Sequence, residues 1–449
     1  MDDLLESMWR EQLGQEAGPA AVAPAAASSS SSFSESSESE SDEPDDDEPP
    51  PPPLAAGPSA GAGGRQQQQQ HQVWRPDVQP SKAVLRHVRR LEKARRERGA
   101  PSSSSSSSSS LLLPLVDLGA ELQRHKAMST LTCFFLNRAN RALDLELRIP
   151  PFERWAASQH RADGKGADPT LPDPRLQEQQ AKDGRRLLRR ELLESGAGKG
   201  EAGRLMEHLD KMAVKLLGQL HRSISGSGIG GGGAAPAPVK VVFEAAKDRY
   251  VLQHKGVALM CNRTHYDKLR ALFGRYGFGG AGPAPQQPQQ QLLERRFHHA
   301  AFALLLRYSS LAGGTDRGGG FQGAINEEVF DVLLRRFDCR TECFASPLNC
   351  RYGRFCSAFP DTDGPFGSLG SFWDFHPTEG CFEANPPFTP FVMDRMAQHM
   401  EALLEASEQA EEEQGQKTKS LAFIIIIPAW DEAHNGRAIQ QACAPSWKT

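Results

Sequence analysis

Apolar residues recur at helical spacing through the middle of this chain, and the pattern changes near residue 338. Seven segments carry the three-to-four-residue period of an amphipathic helix: Val116–Leu136, Arg138–Leu147, Leu187–Leu193, Leu205–His221, Tyr266–Tyr276, Phe297–Leu311 and Asn326–Phe337. They predict a mainly helical domain over 111–337, interrupted by Gly- and Gln-rich insertions at 226–235, 279–291 and 313–320. Surface loops tolerate such length at small entropic cost. After residue 337, Thr341–Ala345 and Cys381–Ala384 read as short strands, and Asn349–Phe359 as a helix or irregular turn. Phe391–Ala410 reads as a long amphipathic helix with Met393, Met396, His399, Met400, Leu403 and Leu404 toward one side. Leu421–Pro428 is a continuous apolar run, the signature of a parallel strand covered on both faces. Strand, helix, strand in this order predicts an α/β domain over 338–449, with right-handed crossovers.

Residues 1–110 supply little to bury. Ala/Pro tracts, a Ser/Glu/Asp block, a proline run and Gln66–Gln70 predict a long disordered low-complexity region. Within it, Met1–Leu13 reads either as a docking helix, with Leu4, Leu5, Met8, Trp9 and Leu13 on one face, or as a frayed terminus. Lys82–Arg98 reads as a basic helix with Val84, Val88 and Leu91 in one stripe. Three readings of that helix stand side by side: a phosphate-backbone track, a nuclear localisation signal, or a solvated helix with one buried stripe. Ser102–Ser110 then reads as a linker that separates this arm from the globular part.

The 449 residues carry a net charge of −4, so overall charge points to no nucleic-acid partner. That average hides an acidic stretch at Glu35–Glu48 and the basic one at Lys82–Arg98. Eight cysteines without paired secretory spacing, and no apolar leader, predict a reduced intracellular protein. No apolar run is long enough to span a bilayer, so no membrane partner is expected. Cys339, Cys343, Cys350 and Cys356 cluster, but their spacing fits no common zinc pattern, and buried thiols are the expectation. No metal site is predicted.

The most specific chemistry lies in Asn385-Pro386-Pro387-Phe388, at the end of a strand. Two prolines stiffen the loop before any ligand arrives. A stiff loop can aim the Asn385 side-chain oxygen and the Pro386 carbonyl at one NH₂ group, with Phe388 flat against the ring that carries it. Such acceptors would favour the positive charge that grows as an exocyclic amine attacks a methyl group, with no general base required. The alternative is a proline-capped strand end with a core phenylalanine.

Longer runs surround the tetrapeptide. Glu342-Cys-Phe-Ala-Ser-Pro-Leu-Asn349, Cys356-Ser-Ala-Phe-Pro-Asp-Thr-Asp-Gly364, Phe366-Gly367-Ser368, Phe382-Glu-Ala-Asn-Pro-Pro-Phe388 and Ile427-Pro-Ala-Trp430 closely resemble the phosphorylated CTD-interacting factor family. Asn262-Arg-Thr-His-Tyr-Asp-Lys-Leu269 and Leu304-Leu-Leu-Arg-Tyr308 resemble pieces of its helical domain, so the likeness covers about 120–430.

This resemblance implies a cap-specific adenosine-N6 methyltransferase, with a Rossmann-like class I methyltransferase domain preceded by a helical domain. It implies S-adenosyl-L-methionine as cofactor, capped mRNA as partner, and N6 of the 2′-O-methyladenosine beside the 7-methylguanosine cap as the methylated atom. The expected localisation is the nucleus. By the same resemblance Asn385, Pro386, Pro387 and Phe388 hold the target adenine. Phe344, Ala345, Ser346, Pro347 and Asn349 form the first cofactor loop, although Ala-Ser-Pro stands where many methyltransferases have glycines. Asp361 and Asp363 are further cofactor candidates, for ribose hydroxyls or the methionine ammonium, against an Asx-turn that merely closes the loop.

Asn262, Arg263, His265 and Lys268 mix cations with the neighbouring Tyr266, which suits a cap and its triphosphate. The plainer reading is a helix start with Thr264 as N-cap and Asp267 completing a weak capping box. Trp430 either lines the adenine or cap pocket or closes the sheet. Family members with a WW module use it to bind the phosphorylated tail of RNA polymerase II. No WW pattern is expected here, because Trp74 stands alone, so association with the polymerase is unsupported. Asp431–Thr449 has little hydrophobic pattern, so the C-terminal strands of the sheet are expected to be missing, as in a truncated chain, a fragment or a protein that lacks part of its sheet. Three functions follow: the active cap methyltransferase, a catalytically silent cap- or RNA-binding protein, and an adenine-N6 methyltransferase for another nucleic acid.

Overall fold

Helix and sheet are mixed in this protein, and the sheet comes in two unlike pieces. A computed structural model describes residues 74–98, 115–142, 149–159, 168–226, 237–277, 287–311, 325–414 and 420–427. Met1–Leu13, the polyserine stretch, Trp430 and the chain after it lie outside the described residues. Among the described residues, no helix is long and apolar enough to cross a membrane.

The first core joins α2 (Leu118–Ala142), α3 (Ile149–Ser158), α4 (Gln179–Glu194) and α5 (Lys199–Gly226). Met128, Leu131, Phe135 and Ala139 form one stripe of α2, and Leu205, Leu209, Ala213 and Leu220 answer it from α5. Phe152 and Trp155 of α3 close the layer, with Phe135 and Phe152 centroids 5.3 Å apart. α3 opens Ile149-Pro150-Pro151, which the apolar period alone does not reveal. Proline is tolerated in a first turn, where its missing N–H would have had no partner.

The second core adds a small sheet that the expectation of a mainly helical middle region did not include. β1 (Lys240–Glu244), β2 (Arg249–His254) and β3 (Val257–Asn262) form an antiparallel meander. Lys255 and Gly256 both have positive φ, 44° and 81°, as a tight hairpin of this hand requires. Val241, Tyr250, Leu252, Leu259 and Cys261 line the inner face. They pack on α6 (Arg263–Tyr276) and α7 (Gln287–Leu311), where Tyr250 stacks on Tyr266 at 3.8 Å. α8 (Glu327–Phe337) follows, capped by the Asn326 side chain and ended by Asp338 in the left-handed region.

Beyond α8 lie one short helical turn, α9 (Pro360–Asp363), and a set of parallel pairs. β4 (Gly380–Ala384) pairs in register with β5 (Leu421–Ile425), joined by the crossover helix α10 (Pro390–Gln414). The expected parallel pairing of the Ile-rich run is therefore present, although its residues are half-buried and Ala422 is exposed. Thr341–Ala345 is narrower than the expected strand: Glu342 makes single parallel bridges to Glu383 on one side and Phe355 on the other. Phe355 in turn bridges Ser368, again in parallel. The lanes thus run 368, 355, 342, β4, β5 across the sheet. Asn349–Phe359 is turn and extended chain, not helix.

α1 (Lys82–Arg98) has the expected bounds, but it is not a separate arm. Ala83 and Val84 join the cluster of Phe375, Phe382, Ala384 and Met393. His87 reaches the Leu369 carbonyl at 3.1 Å and stands edge-on to Phe375 at 4.9 Å. The buried stripe is Ala83, Val84, His87 and, partly, Val88. Leu91 is exposed although it lies in phase with Val84 and His87, because the buried contacts are confined to the first turns of the helix. The four clustered cysteines are buried free thiols.

Candidate functional site

The ladder between β4 and β5 ends where Ile426 N–H donates to the Ala384 carbonyl at 2.9 Å. Asn385 is the next residue. Pro386 and Pro387 have no N–H to extend the pairing, so the chain must leave the sheet here. Thr389 N–H turns back to the Pro387 carbonyl at 2.7 Å, and the Thr389 carbonyl accepts from Val392 and Met393 to start α10. Pro390 occupies the first helical position, where proline is favoured. Pro386 is buried, while Asn385, Pro387 and Phe388 are half-buried.

The adjacent lane delivers a second loop. Cys343 N–H donates to the Glu383 carbonyl at 2.8 Å, and Glu383 N–H donates to that of Thr341 at 3.0 Å. These bonds bring Phe344, Ala345, Ser346, Pro347 and Asn349 beside the start of Asn385–Phe388. The loop is a closed turn. Asn349 Oδ1 accepts from Ser346 N–H at 2.7 Å and from its hydroxyl at 2.9 Å, while Cys350 N–H donates to the Ser346 carbonyl at 2.9 Å. Phe344 leans on Phe372 and Trp373, with centroids 5.1 and 5.7 Å away.

Lys268 holds this loop from below. Its ammonium donates to the carbonyls of Cys350 at 2.6 Å and Leu348 at 3.1 Å, and the residue is 7% exposed. A buried ammonium must spend its protons on acceptors, and these are backbone oxygens. Lys268 is therefore corrected from a surface that meets substrate to a support under the loop.

The acidic turn meets the same region. Asp361 takes two hydrogen bonds from Arg307, at 3.1 and 2.9 Å, and Arg307 also pairs with Glu121 at 2.7 and 2.8 Å. Burial opposes the Asp361 charge, but the hydrogen bonds and charge of Arg307 outweigh it and hold the carboxyl below its usual range. Asp363 is fully buried and accepts from the Tyr308 hydroxyl at 2.8 Å and Thr362 at 3.0 Å. Burial pushes its carboxyl up to about 7. Both aspartates are thus tied to α7, and the half-exposed Asp361 side chain alone reaches solvent.

Two buried carboxylates stand in register on the central lanes. Glu342 Oε2 accepts from the N–H groups of Arg351 at 2.8 Å and Tyr352 at 3.1 Å. Burial nevertheless pushes its carboxyl up to about 7. Glu383 is driven well above the usual range by burial and by the charge of Glu342. Sequence reasoning singled out neither, since a lone Glu in a short strand carries no pattern of its own.

At the start of α6 the cap is Asn262, whose Oδ1 accepts from His265 N–H at 2.7 Å, and not Thr264. Arg263 lies between Asp248 and Asp267, at 3.8 and 3.7 Å, with its guanidinium 5.9 Å over Phe243. Asn262, Arg263 and His265 are exposed on the helix that carries Lys268 inward. Trp373 was also missed. It supports Phe344, takes the Arg395 guanidinium at 4.1 Å, and neighbours His399 at 5.9 Å. The aromatic density of Phe372-Trp373-Asp374-Phe375 was the available signal.

Residues 268–447 match the family model described as the phosphorylated CTD interacting factor 1 WW domain. The chain is also similar to the proteins named mRNA (2′-O-methyladenosine-N(6)-)-methyltransferase from Mus musculus and Homo sapiens. Each is 41% identical over 182 residues, covering 40% of this chain and 23% of the relative. The chain thus spans less than a quarter of the length of these curated relatives. The match overturns the expectation that no WW module is present and that polymerase association is therefore unsupported. That expectation rested on the surroundings of Trp74, and the matched segment begins far beyond it.

Proposed function

Because residues 268–447 match the phosphorylated CTD interacting factor 1 family model, we propose that this protein methylates N6 of the 2′-O-methyladenosine next to the mRNA cap, using S-adenosyl-L-methionine. One observation carries the reading: the Glu342–Glu383 bridge sets the 344–349 loop beside Asn385–Phe388. Numbered along the chain, the parallel lanes run third, second, first, fourth, fifth. That order supports a Rossmann-like methyltransferase sheet, whose ligands lie beyond the carboxyl ends of the strands where the order reverses. The 344–349 and 385–388 loops leave the first and fourth lanes on that side.

The donor set fits the cofactor. Small residues at Ala345 and Ser346 let backbone approach the methionine moiety, and the half-exposed Asp361 offers oxygens to ribose hydroxyls. Bound S-adenosylmethionine supplies an electrophilic methyl group on sulfonium. The Asn385 side-chain oxygen and the Pro386 carbonyl accept from the adenine amine, and Phe388 lies against its ring. These acceptors would orient the amine nitrogen and stabilise the charge it develops, and the surplus amine proton would then pass to water. The target is a chain-end nucleotide, so little unstacking is needed.

The test measures transfer from labelled S-adenosylmethionine to RNA beginning with 2′-O-methyladenosine, capped and uncapped. Transfer to the capped RNA, lowered on the order of 100-fold by Asn385→Ala with cofactor binding retained, is the expected result. Full activity in Asn385→Ala would refute this placement of the adenine.

A further inference from the structure

α1 carries its charge on the side turned away from the sheet. Lys82, Arg86, Arg89 and Lys93 recur at i, i+4, i+7 and i+11, the spacing of one helical face, and all four are exposed. The helix holds eight Lys or Arg residues against two Glu, in a chain whose net charge is −4. Its opposite face is fixed to the protein by Ala83, Val84 and His87. Two side contacts steady it further: Arg86 pairs with Glu379 at 2.6 Å, and Arg90 reaches the His376 carbonyl at 3.5 Å. A solvated helix needs cations for solubility, but it does not need them held in a row on a docked scaffold.

The row also has a defined position. Glu379 immediately precedes β4, whose other end leads into Asn385. Five residues of strand separate the two, a span of about 20 Å. A strand of RNA with its first nucleotide at Asn385 would have to pass only a few nucleotides along the protein to reach α1.

We propose that the Lys82–Arg86–Arg89–Lys93 row docks the sugar–phosphate backbone of single-stranded RNA, downstream of the nucleotide that is methylated. The choice of RNA as the polyanion rests on the methyltransferase reading above. The row itself reads charge and not sequence, because it offers cations without a pocket for bases or side chains. A membrane surface fits poorly. An interfacial helix must insert its apolar face, and that face of α1 is already buried against Phe375. Fixing the cations beforehand lowers the ordering cost of binding.

The experiment uses the full chain and a fluorescently labelled uncapped RNA of about 20 nucleotides, followed by anisotropy across a salt titration. The variant K82Q/R89Q/K93Q spares Arg86, which anchors the helix, and K82R/R89K/K93R keeps the charge. Each phosphate contact on a single strand contributes about 0.7 to the salt slope, so the neutralised variant should lose about two from that slope. It should bind roughly 10-fold or more weakly at low salt, while the charge-preserving variant binds like wild type. Unchanged slope and affinity in K82Q/R89Q/K93Q would overturn the proposal. So would displacement of the RNA from these residues by equal charge of polyglutamate or of phosphatidylserine vesicles. Binding is read without cap or turnover, so failure of the methyltransferase reading appears separately, as absent transfer to capped RNA.

Discussion

Arg307 and Asp361 are joined by two parallel hydrogen bonds, although the arginine is fully buried and the carboxylate is half exposed. The pair ties α7 to the turn that follows the Phe355 lane. On its inner side Arg307 neutralises Glu121, which is itself 1% exposed. The two ends of this network should therefore respond differently to mutation. Arg307→Met leaves the buried Glu121 with Arg124, at 2.5 Å, as its remaining partner, and should cost about 3 kcal/mol. Asp361→Asn removes a partner that water can partly replace, and should cost about 1 kcal/mol or less. Urea denaturation of both variants checks this, and equal losses would contradict the asymmetry.

Asp363 should make stability fall as pH rises toward neutrality. Burial pushes its carboxyl up to about 7 in the folded protein, while an aspartate in unfolded chain titrates near 4, as a rough reference. Between those values the native state holds a proton that the unfolded state has released. The relative stabilisation is therefore complete below the unfolded value and lost as pH passes the folded one. Three units correspond to about 4 kcal/mol as an order of magnitude. Asp363→Asn should flatten the decline between about pH 4 and pH 7 in denaturation experiments. Glu342, also pushed up to about 7 by burial, has the same sign, so part of the slope remains.

Gly367 cannot accept a side chain. Its φ is +109°, and an added Cβ would lie 2.4 Å from the Gly353 carbonyl oxygen and 2.8 Å from the Tyr276 ring. Gly367→Ala should lose roughly 1–3 kcal/mol from backbone strain, with the clash adding to it. Hydrogen exchange should localise the damage. The Leu369 amide, which donates to the Phe355 carbonyl at 2.8 Å, should lose protection before those of β4.

How much of this was legible depended on whether a feature was local in sequence. The β4–α10–β5 unit was readable because its helix is long and its second strand is an unbroken apolar run. α8 was readable for similar reasons, with Asn326 at its start. The β1–β3 meander was not. Val241-Val242-Phe243 offers apolar residues to both faces, and the turn signal at Lys255-Gly256 is weaker than Asn-Gly. At the candidate site, the tetrapeptide and the 344–349 loop could be named from the sequence and its family resemblance, but their supports could not. The roles of Lys268, Arg307 and Glu383 arise from contacts between residues far apart in the chain, such as Lys268 with Cys350. The docking of α1 was hidden for another reason: His87, a polar residue, completes its buried stripe.

The lanes at 342, 355 and 368 are each held to their neighbours by single bridges and a few hydrogen bonds, whereas β1–β3 pairs along its full length through short turns. The meander closes small loops and can form early. The Glu342–Glu383 contact has to wait until the intervening chain has been gathered in, since its loop-closure entropy must be met first. The juxtaposition of the two loops is therefore among the last features to assemble in folding. A variant that weakens these bridges should separate the two loops before it loses its helices, leaving a species that looks folded by circular dichroism.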